Sequence, residues 1–290
     1  MFGLTWSVAR RRIADGKVRV DGTVVTDPAA PVAPGSVIAM NMTAPRARPD
    51  TDLPPDAVVH IDEHVVVVDK PAGITTIPFV AREKGTLDTR VRARIARIPG
   101  AKKEKGRIPL GIVHRIDRGT SGLVVFARSW KGKTGLAAQF RKHSVHRLYL
   151  AVAIGRVDGA TITSHLVADR GDGRRGSVEA APPRLRRHLG PGKVATTHVR
   201  VVERLDGATL VECRLETGRT HQIRIHLAEA GHPLVGERVY GERDPAIRAA
   251  RPMLHAAELG FTHPATGRWM QFARPLPEDM KALISRLRTP

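Results

Sequence analysis

A single cysteine, Cys213, in a chain of 290 residues excludes an internal disulfide framework and a multi-cysteine metal site, and it suits a reducing cytoplasm. Aromatic residues make up only 4% of the chain. No apolar run approaches the roughly 18 residues that a membrane helix needs. The Arg10-Arg11-Arg12 run follows Met1–Trp6 instead of preceding an apolar core, which is the wrong order for a secretory signal. Acidic residues are scarce: 28 Asp and Glu face 48 Lys and Arg, for a formal net charge of +20. Arg greatly outnumbers Lys, as in GC-rich coding sequence, but that bias exchanges one cation for another and does not remove acids. A charge of this size attracts polyanions at long range and disfavours self-association. A nucleic-acid partner and a monomer are therefore expected, with no membrane partner.

Hydrophobic residues, at 41%, are sufficient for an ordinary globular core, and no internal repeat or low-complexity tract is present. Residues 1–42 read as a small α+β module. Ser7 can cap a short helix through Ala14, Gly16 ends it, and Val18–Val20 runs into an Asp21-Gly22 hairpin turn and the return strand Thr23–Val25. Arg10, Arg11 and Arg12 on that helix suit phosphate contact. Residues 43–57 are rich in Pro and charge and read as a linker. Residues 58–290 form a second, larger domain. Val65–Val68 suits a buried strand closed by the turn at Lys70-Pro71-Ala72-Gly73. Leu87, Val91, Ile95 and Ile98 have helical spacing, and Ala101–Arg107 is expected to be a cationic mobile loop. Strands are expected at 110–114, 122–127, 148–154, 197–203, 208–215 and 221–226, with a helix at 132–142. Many strands with few helices between them predict an α+β domain with a mixed, mainly antiparallel sheet.

Chemistry concentrates in two stretches. In Gly111–Ala127, apolar strands flank a polar knot of His114, Arg115, Asp117, Arg118, Thr120 and Ser121, in which Thr120, Ser121 and Gly122 can turn the chain and fix Asp117. In Leu215–Leu227, strand alternation from His221 sends Gln222, Arg224 and His226 to one face, and a buried Arg224 needs a carboxylate or phosphate partner. A third stretch, Gly231–Gly241, is rich in turns and reads as scaffold around a site.

At these residues the chain resembles the RluA-type pseudouridine synthases. The resemblance rests on His114-Arg115-Ile116-Asp117 with Thr120-Ser121-Gly122, on Lys70–Gly73, Arg147–Ala151 and Gly218–Arg224, and on Leu254-His255-Ala256 with His263-Pro264. It covers about residues 58–275, while the first module resembles the alpha-L RNA-binding motif, without the helix that usually leads it. The family usually has Leu at Ile116 and Lys at Arg147. The resemblance implies that Asp117 is the catalytic aspartate, that Arg224 ion-pairs with it, that Tyr149 packs on the target base, and that Arg115 fills the gap left by a flipped nucleotide. It also makes His114, Arg118, Arg219 and Gln222 candidate RNA contacts. Turning uridine into pseudouridine breaks the glycosidic N–C bond, rotates the uracil and rejoins it through carbon. One ionised carboxylate can start this by attacking the sugar or ring, or by removing a sugar proton, and a cation beside it favours the charged form. No cofactor or metal is required. The implied partner is structured RNA, with large-subunit ribosomal RNA favoured and transfer RNA second.

Other readings fit less well. Lys131-Gly132-Lys133-Thr134 lacks the earlier glycine of a phosphate loop, since Ala127 holds that place. Thirteen histidines form no zinc-protease string, and His114, His221 and His226 read as hydrogen-bonding scaffold. Cys213 reads as a small buried hydrophobe and Tyr240 as structural support. A non-catalytic RNA-binding or ribosome-assembly protein predicts RNA affinity indifferent to Asp117→Asn. A zinc deaminase lacks its Cys ligands.

Overall fold

In the computed structural model the chain divides into two units, Met1–Asp52 and Leu53–Pro290. The described residues are 3–45, 53–78, 83–98, 108–241 and 247–288, apart from 27, 29, 31 and 84; the expected loop at 101–107 lies outside them. In the first unit, helix α1 spans Trp6–Ala14. The expected Ser7 cap is corrected, because Trp6 is already helical and Thr5 takes the cap position. The Thr5 hydroxyl meets the Ser7 hydroxyl at 3.2 Å and caps no backbone N–H. Strands β1 (Val18–Val20) and β2 (Thr23–Val25) pair across Asp21-Gly22, both at positive φ, as that dipeptide requires of a tight hairpin. Strand β3 (Ile38–Met40) pairs with the other edge of β1. Arg10 and Arg11 are exposed and Arg12 is half-buried.

The second unit runs β4 (Val58–Ile61), β5 (Val65–Lys70), α2 (Leu87–Ala96), β6 (Gly111–Ile112), β7 (Ser121–Ala127), α3 (Trp130–Arg141), β8 (His146–Ile154), β9 (Ala160–Val167), β10 (Gly176–Ser177), α4 (Pro183–Arg186), β11 (Lys193–Leu205), β12 (Ala208–Leu215), α5 (Gln222–Glu229), β13 (Leu254–Thr262), β14 (Trp269–Ala273) and α6 (Glu278–Leu287). Among the described residues its sheet has eleven strands in the order β10-β9-β11-β12-β8-β13-β7-β5-β4, with β14 beside β13 and β6 beside β7. The β13–β7 pair is parallel and the other pairs are antiparallel, so the sheet is mixed and mainly antiparallel as expected.

The unbroken apolar run in β5 follows from burial on both faces. Val66 and Val68 join Val124 and Phe126 under α2, where Leu87, Val91 and Ile95 are buried. Val65 and Val67 join Leu123, Val125 and Phe261 against Leu136 of α3. Helix α6 buries Met280, Leu283, Ile284 and Leu287 against Val152 and Leu210 of β8 and β12. Leu53, inside the expected linker, is 2% exposed and belongs to the same core as Phe126. Lys131–Thr134 lies in the first turns of α3, whose cap Ser129 accepts the Gly132 N–H at 3.0 Å.

The strand expected at 221–226 is corrected to helix α5. Gln222–Leu227 are all buried, so the run has no exposed face whose period could separate a helix from a strand. Strand 110–114 shortens to Gly111–Ile112 because the chain must turn away to form the loop that carries Asp117.

Candidate active site

Asp117 sits on the connection between β6 and β7, and this loop is clamped from several sides. Thr76, 2% exposed, donates its hydroxyl to the Ile116 carbonyl at 2.7 Å and accepts the Ile116 N–H at 3.2 Å. Lys70 is fully buried, and its ammonium donates to the carbonyls of Pro71, Ile74 and Arg118 at 2.9, 2.9 and 3.2 Å. Burial, followed by the positive charge of Arg251, pushes its pKa down to about 7. The Gly73 N–H donates to the Arg118 carbonyl at 2.8 Å, and the Arg118 Nε returns a bond to the Gly73 carbonyl at 2.7 Å. The Lys-Pro-Ala-Gly turn thus holds the loop through the Lys70 ammonium and the Gly73 backbone, and the Thr120 N–H closes it onto the Asp117 carbonyl at 3.1 Å.

Where the loop enters β7, Gly122 has φ +108°, and a Cβ there would collide with the backbone carbonyl of Ala256. Only glycine allows β13 to approach this closely.

The Asp117 side chain, 19% exposed, lines a cavity of about 510 Å³ together with Arg115, Tyr149, Arg219, His221 and Arg224. Arg224 Nη1 donates to Asp117 Oδ2 at 3.3 Å, and His221 Nε2 lies 3.7 Å from Oδ1. Arg224 is held in turn by Glu237, 1% exposed, whose carboxylate accepts Nε and Nη2 at 2.8 Å each. Glu237 also accepts the N–H groups of Arg238 and Val239 at 2.9 Å. Burial opposes the charge on Glu237, but the Arg224 hydrogen bonds and those N–H groups outweigh it, so its pKa is lowered. For Arg224 burial likewise acts against the charge, and the bonds to Glu237 and Asp117 raise its pKa. Two carboxylates thus share one guanidinium: a buried one fixes it, and a part-exposed one faces the cavity.

The structure brings Asp117, Arg224 and Tyr149 to one cavity. Tyr149, 9% exposed, has its pKa pushed up to about 12, chiefly by burial, and keeps its phenol proton. Arg115 lines the cavity and is exposed, with no hydrogen bond or ion pair among the described residues. Arg219 lines both this cavity and a neighbouring one of about 510 Å³ that also contains Arg175, Lys193 and Thr220.

Gln222 and His114, two of the expected RNA contacts, line the cavity and are also engaged by the fold. Gln222, 2% exposed, accepts from the Thr217 hydroxyl and the Arg219 N–H and donates to the Thr196 carbonyl and the Thr197 hydroxyl at 2.8–3.0 Å. All four of its hydrogen-bonding positions are committed, which leaves none for RNA. His114 stacks on Phe140 with centroids 4.5 Å apart, and its Nε2 accepts the Val125 N–H at 3.0 Å. Burial, reinforced by Arg147, drives its pKa down to about 3. Both residues therefore brace the fold, His114 against β7 and Gln222 at the start of α5.

Sequence reasoning missed Glu237, His221 and Tyr240 as members of this network. A buried Arg224 announces the need for a carboxylate, but nothing local singles out Glu237, 13 residues away, over its acidic neighbours.

Residues 64–229 match the family described as RNA pseudouridylate synthase, and residues 1–38 match the S4 domain. The ribosomal large subunit pseudouridine synthase D of Zymomonas mobilis is 39% identical over 277 residues, covering 92% of this chain and 84% of that protein. Its namesake in Pseudomonas aeruginosa is 38% identical, covering 95% and 85%. The uncharacterized RNA pseudouridine synthase YlyB of Bacillus subtilis is also 38% identical, covering 95% and 87%. The solved structure of human RNA pseudouridylate synthase domain containing 4 shares the fold, with a TM-score of 0.62 at 21% identity over 80% of this chain and 93% of that one.

Proposed function

The chain belongs to the RNA pseudouridylate synthase family and is an RNA pseudouridine synthase; from that premise we propose that Asp117 opens the reaction and that large-subunit ribosomal RNA is the substrate. The observation that carries the first part is the Asp117 carboxylate lining the cavity, 3.3 Å from a guanidinium that Glu237 already neutralises and fixes. A carboxylate so placed is reachable from the cavity, and the guanidinium beside it is held in place by a second carboxylate. Tyr149 gives the detached uracil a flat apolar face on which to turn. Arg115, exposed and without a side-chain partner among the described residues, enters the stack as the target nucleotide leaves it and offsets part of the lost stacking. Arg10, Arg11 and Arg12, in the stretch that matches the S4 domain, add phosphate contacts.

The substrate reading rests on relatives named for the large ribosomal subunit at 38–39% identity. Transfer RNA is the alternative. Among the described residues no helix is long and apolar enough to cross a membrane, and a cytoplasmic monomer fits a net charge of +20.

Purified protein mixed with unmodified ribosomal RNA carrying 5-tritiated uridine tests the proposal, because pseudouridine formation releases the tritium. Release by the wild type and none by Asp117→Asn is expected. Release by the variant at the wild-type rate would remove Asp117 from the chemistry. Release from transfer RNA alone would move the substrate.

A further inference from the structure

The carbonyls of the Asp117 loop are held one after another. The Thr76 hydroxyl bonds that of Ile116, the Lys70 ammonium that of Arg118, and Arg251 Nη1 that of Gly119 at 3.0 Å. Thr76 and Lys70 lie ahead of α2, whereas Arg251 lies just ahead of β13 and is 11% exposed. The same Nη1 donates to the carbonyls of Pro252 and Leu254 at 3.2 Å, and Nη2 reaches the Ser121 hydroxyl at 3.4 Å. Gly119 packs so closely on the Pro252 ring that a Cβ there would stand 3.2 Å from it. One guanidinium thus spans the exit of the loop from Gly119 to Ser121.

The stretch that carries Arg251 also holds the lobe that carries Glu237. The Met253 N–H donates to the Val235 carbonyl at 2.9 Å, and Arg238 Nη2 donates to the Ala250 carbonyl at 3.0 Å. Between those bonds Gly236, at φ +80°, presses on the Arg251 carbonyl, where a Cβ would collide. The next residue is Glu237, which fixes Arg224. Helix α6 anchors the stretch in turn, because Arg251 Nε and Nη2 donate to the two oxygens of Asp279 at 2.6 and 2.9 Å. A bidentate pair of this kind fixes direction as well as distance. We propose that Arg251 is a positioning residue for the reaction: anchored on α6 through Asp279, it holds the Asp117 loop and the Glu237 lobe at one spacing and so sets the approach of Asp117 to Arg224. The proposal rests on the reading of Asp117 as the group that opens the reaction.

The placement is a costly one for a contact that only stabilises. Arg251 stands close enough to Lys70 to help lower the pKa of that buried ammonium, and two interior cations repel. Asp279 supplies the counter-charge that makes the arrangement tolerable. Burial opposes the charge on Asp279, but the bond from Arg251 outweighs it, so its pKa is lowered. What the arrangement supplies is a common reference for two distant parts of the chain. Asp117 and Arg224 are 107 residues apart in sequence and meet through one bond of 3.3 Å. A bond of that length tolerates drift, so the spacing of the two supports decides where the carboxylate stands.

Single-turnover tritium release with enzyme in excess separates the rate of the bound complex from affinity, and a partly unfolded sample lowers the second and not the first. Full-length Arg251→Met, Arg251→Lys and Asp279→Asn test the proposal beside Phe261→Leu, which weakens a fully buried core position at the other end of β13. Arg251→Met is expected to keep its RNA affinity and to lose roughly tenfold to a hundredfold in bound-complex rate, the cost of misplacement by ~1 Å. Arg251→Lys, which can still donate to the Gly119 carbonyl, and Asp279→Asn, which frees the anchor, should fall between it and the wild type. Phe261→Leu should melt lower and react at the wild-type rate. Combined with Glu237→Gln, Arg251→Met should cost less than the product of the two single losses, because either change already lets Asp117 and Arg224 part. A folded Arg251→Met at the wild-type rate, an equal slowing by Phe261→Leu, or losses that simply multiply would overturn the proposal. If Arg251→Met does not fold, wild-type rates in both Arg251→Lys and Asp279→Asn would overturn it. Turnover by Asp117→Asn is a separate result and would remove the reading on which the proposal rests.

Discussion

Glu237→Gln removes the buried charge that positions the arginine of the site while barely changing shape. Arg224 gives Glu237 two bonds of 2.8 Å in a place where the two side chains are 9% and 1% exposed. Glutamine keeps one acceptor but turns an NH2 group toward the second N–H and leaves the guanidinium with only the more distant Asp117 carboxylate as counter-charge. Breaking one side of a buried pair costs about 3–5 kcal/mol, and the retained bond places this variant near ~3 kcal/mol. In a domain of this size each kcal/mol moves the melting midpoint by about 2–4 °C, so a loss of ~6–12 °C is expected. The Glu237 carboxyl has a lowered pKa, so its contribution is present at neutral pH and is lost as pH falls below 4.5 through the folded value. The gap between wild type and variant should therefore close in acid. Arg224 Nη1, now 3.3 Å from Asp117, would drift, and misplacement by ~1 Å can cost about 10²-fold in kcat. The double variant Arg224→Met with Glu237→Met should regain most of the stability and none of the activity. Calorimetry and single-turnover tritium release check both. A melting loss under about 2 °C with kcat near wild type would mean that something other than Glu237 holds Arg224.

Gly122→Ala should destabilise the protein and lower activity, because the new Cβ meets the Ala256 carbonyl from a backbone at φ +108°; an unchanged urea midpoint would contradict that contact. His226 and His255 are 1% exposed with pKa values pushed down to about 4, chiefly by burial. The unfolded chain takes up their protons near pH 6.5 while the folded one does not, so stability should fall as pH drops from about 6.5 to 4. His226→Gln should flatten that slope in thermal melts. Arg175 and Lys193, exposed in the second cavity without a side-chain partner among the described residues, are expected to meet phosphates. Replacing each with Ala should lower the slope of log affinity against log salt by about 0.7. A double variant with the wild-type slope would take RNA away from that cavity.

The strands whose residues alternate, or are buried throughout, were legible in the sequence: Val65–Val68 and Ser121–Ala127 needed no context. Helix α5 was not, because Gln222–Leu227 is buried on all sides and its His-x-Ile-x-Ile rhythm imitates a strand. Strand β13 escaped because its Leu254–Thr262 run mixes Ala, Glu and Gly, poor strand formers that pairing with β7 and β8 overrides. At the site, Asp117, Arg224 and Tyr149 came from ordered motifs and share one cavity. Glu237 and the His221–Tyr240 pair came only from the fold. Glu237 and Tyr240 lie 13 and 19 residues from Arg224 and His221, on a turn-rich lobe where no periodicity links one side chain to another.

The central claim is that this chain makes pseudouridine through Asp117. It is tested most directly by mapping pseudouridine, nucleotide by nucleotide, in ribosomal and transfer RNA from cells lacking the protein and rescued with wild type or Asp117→Asn. Loss at defined uridines of large-subunit ribosomal RNA, restored by the wild type and not by the variant, is the predicted result. Sites untouched by the deletion, or restored equally by Asp117→Asn, would contradict it.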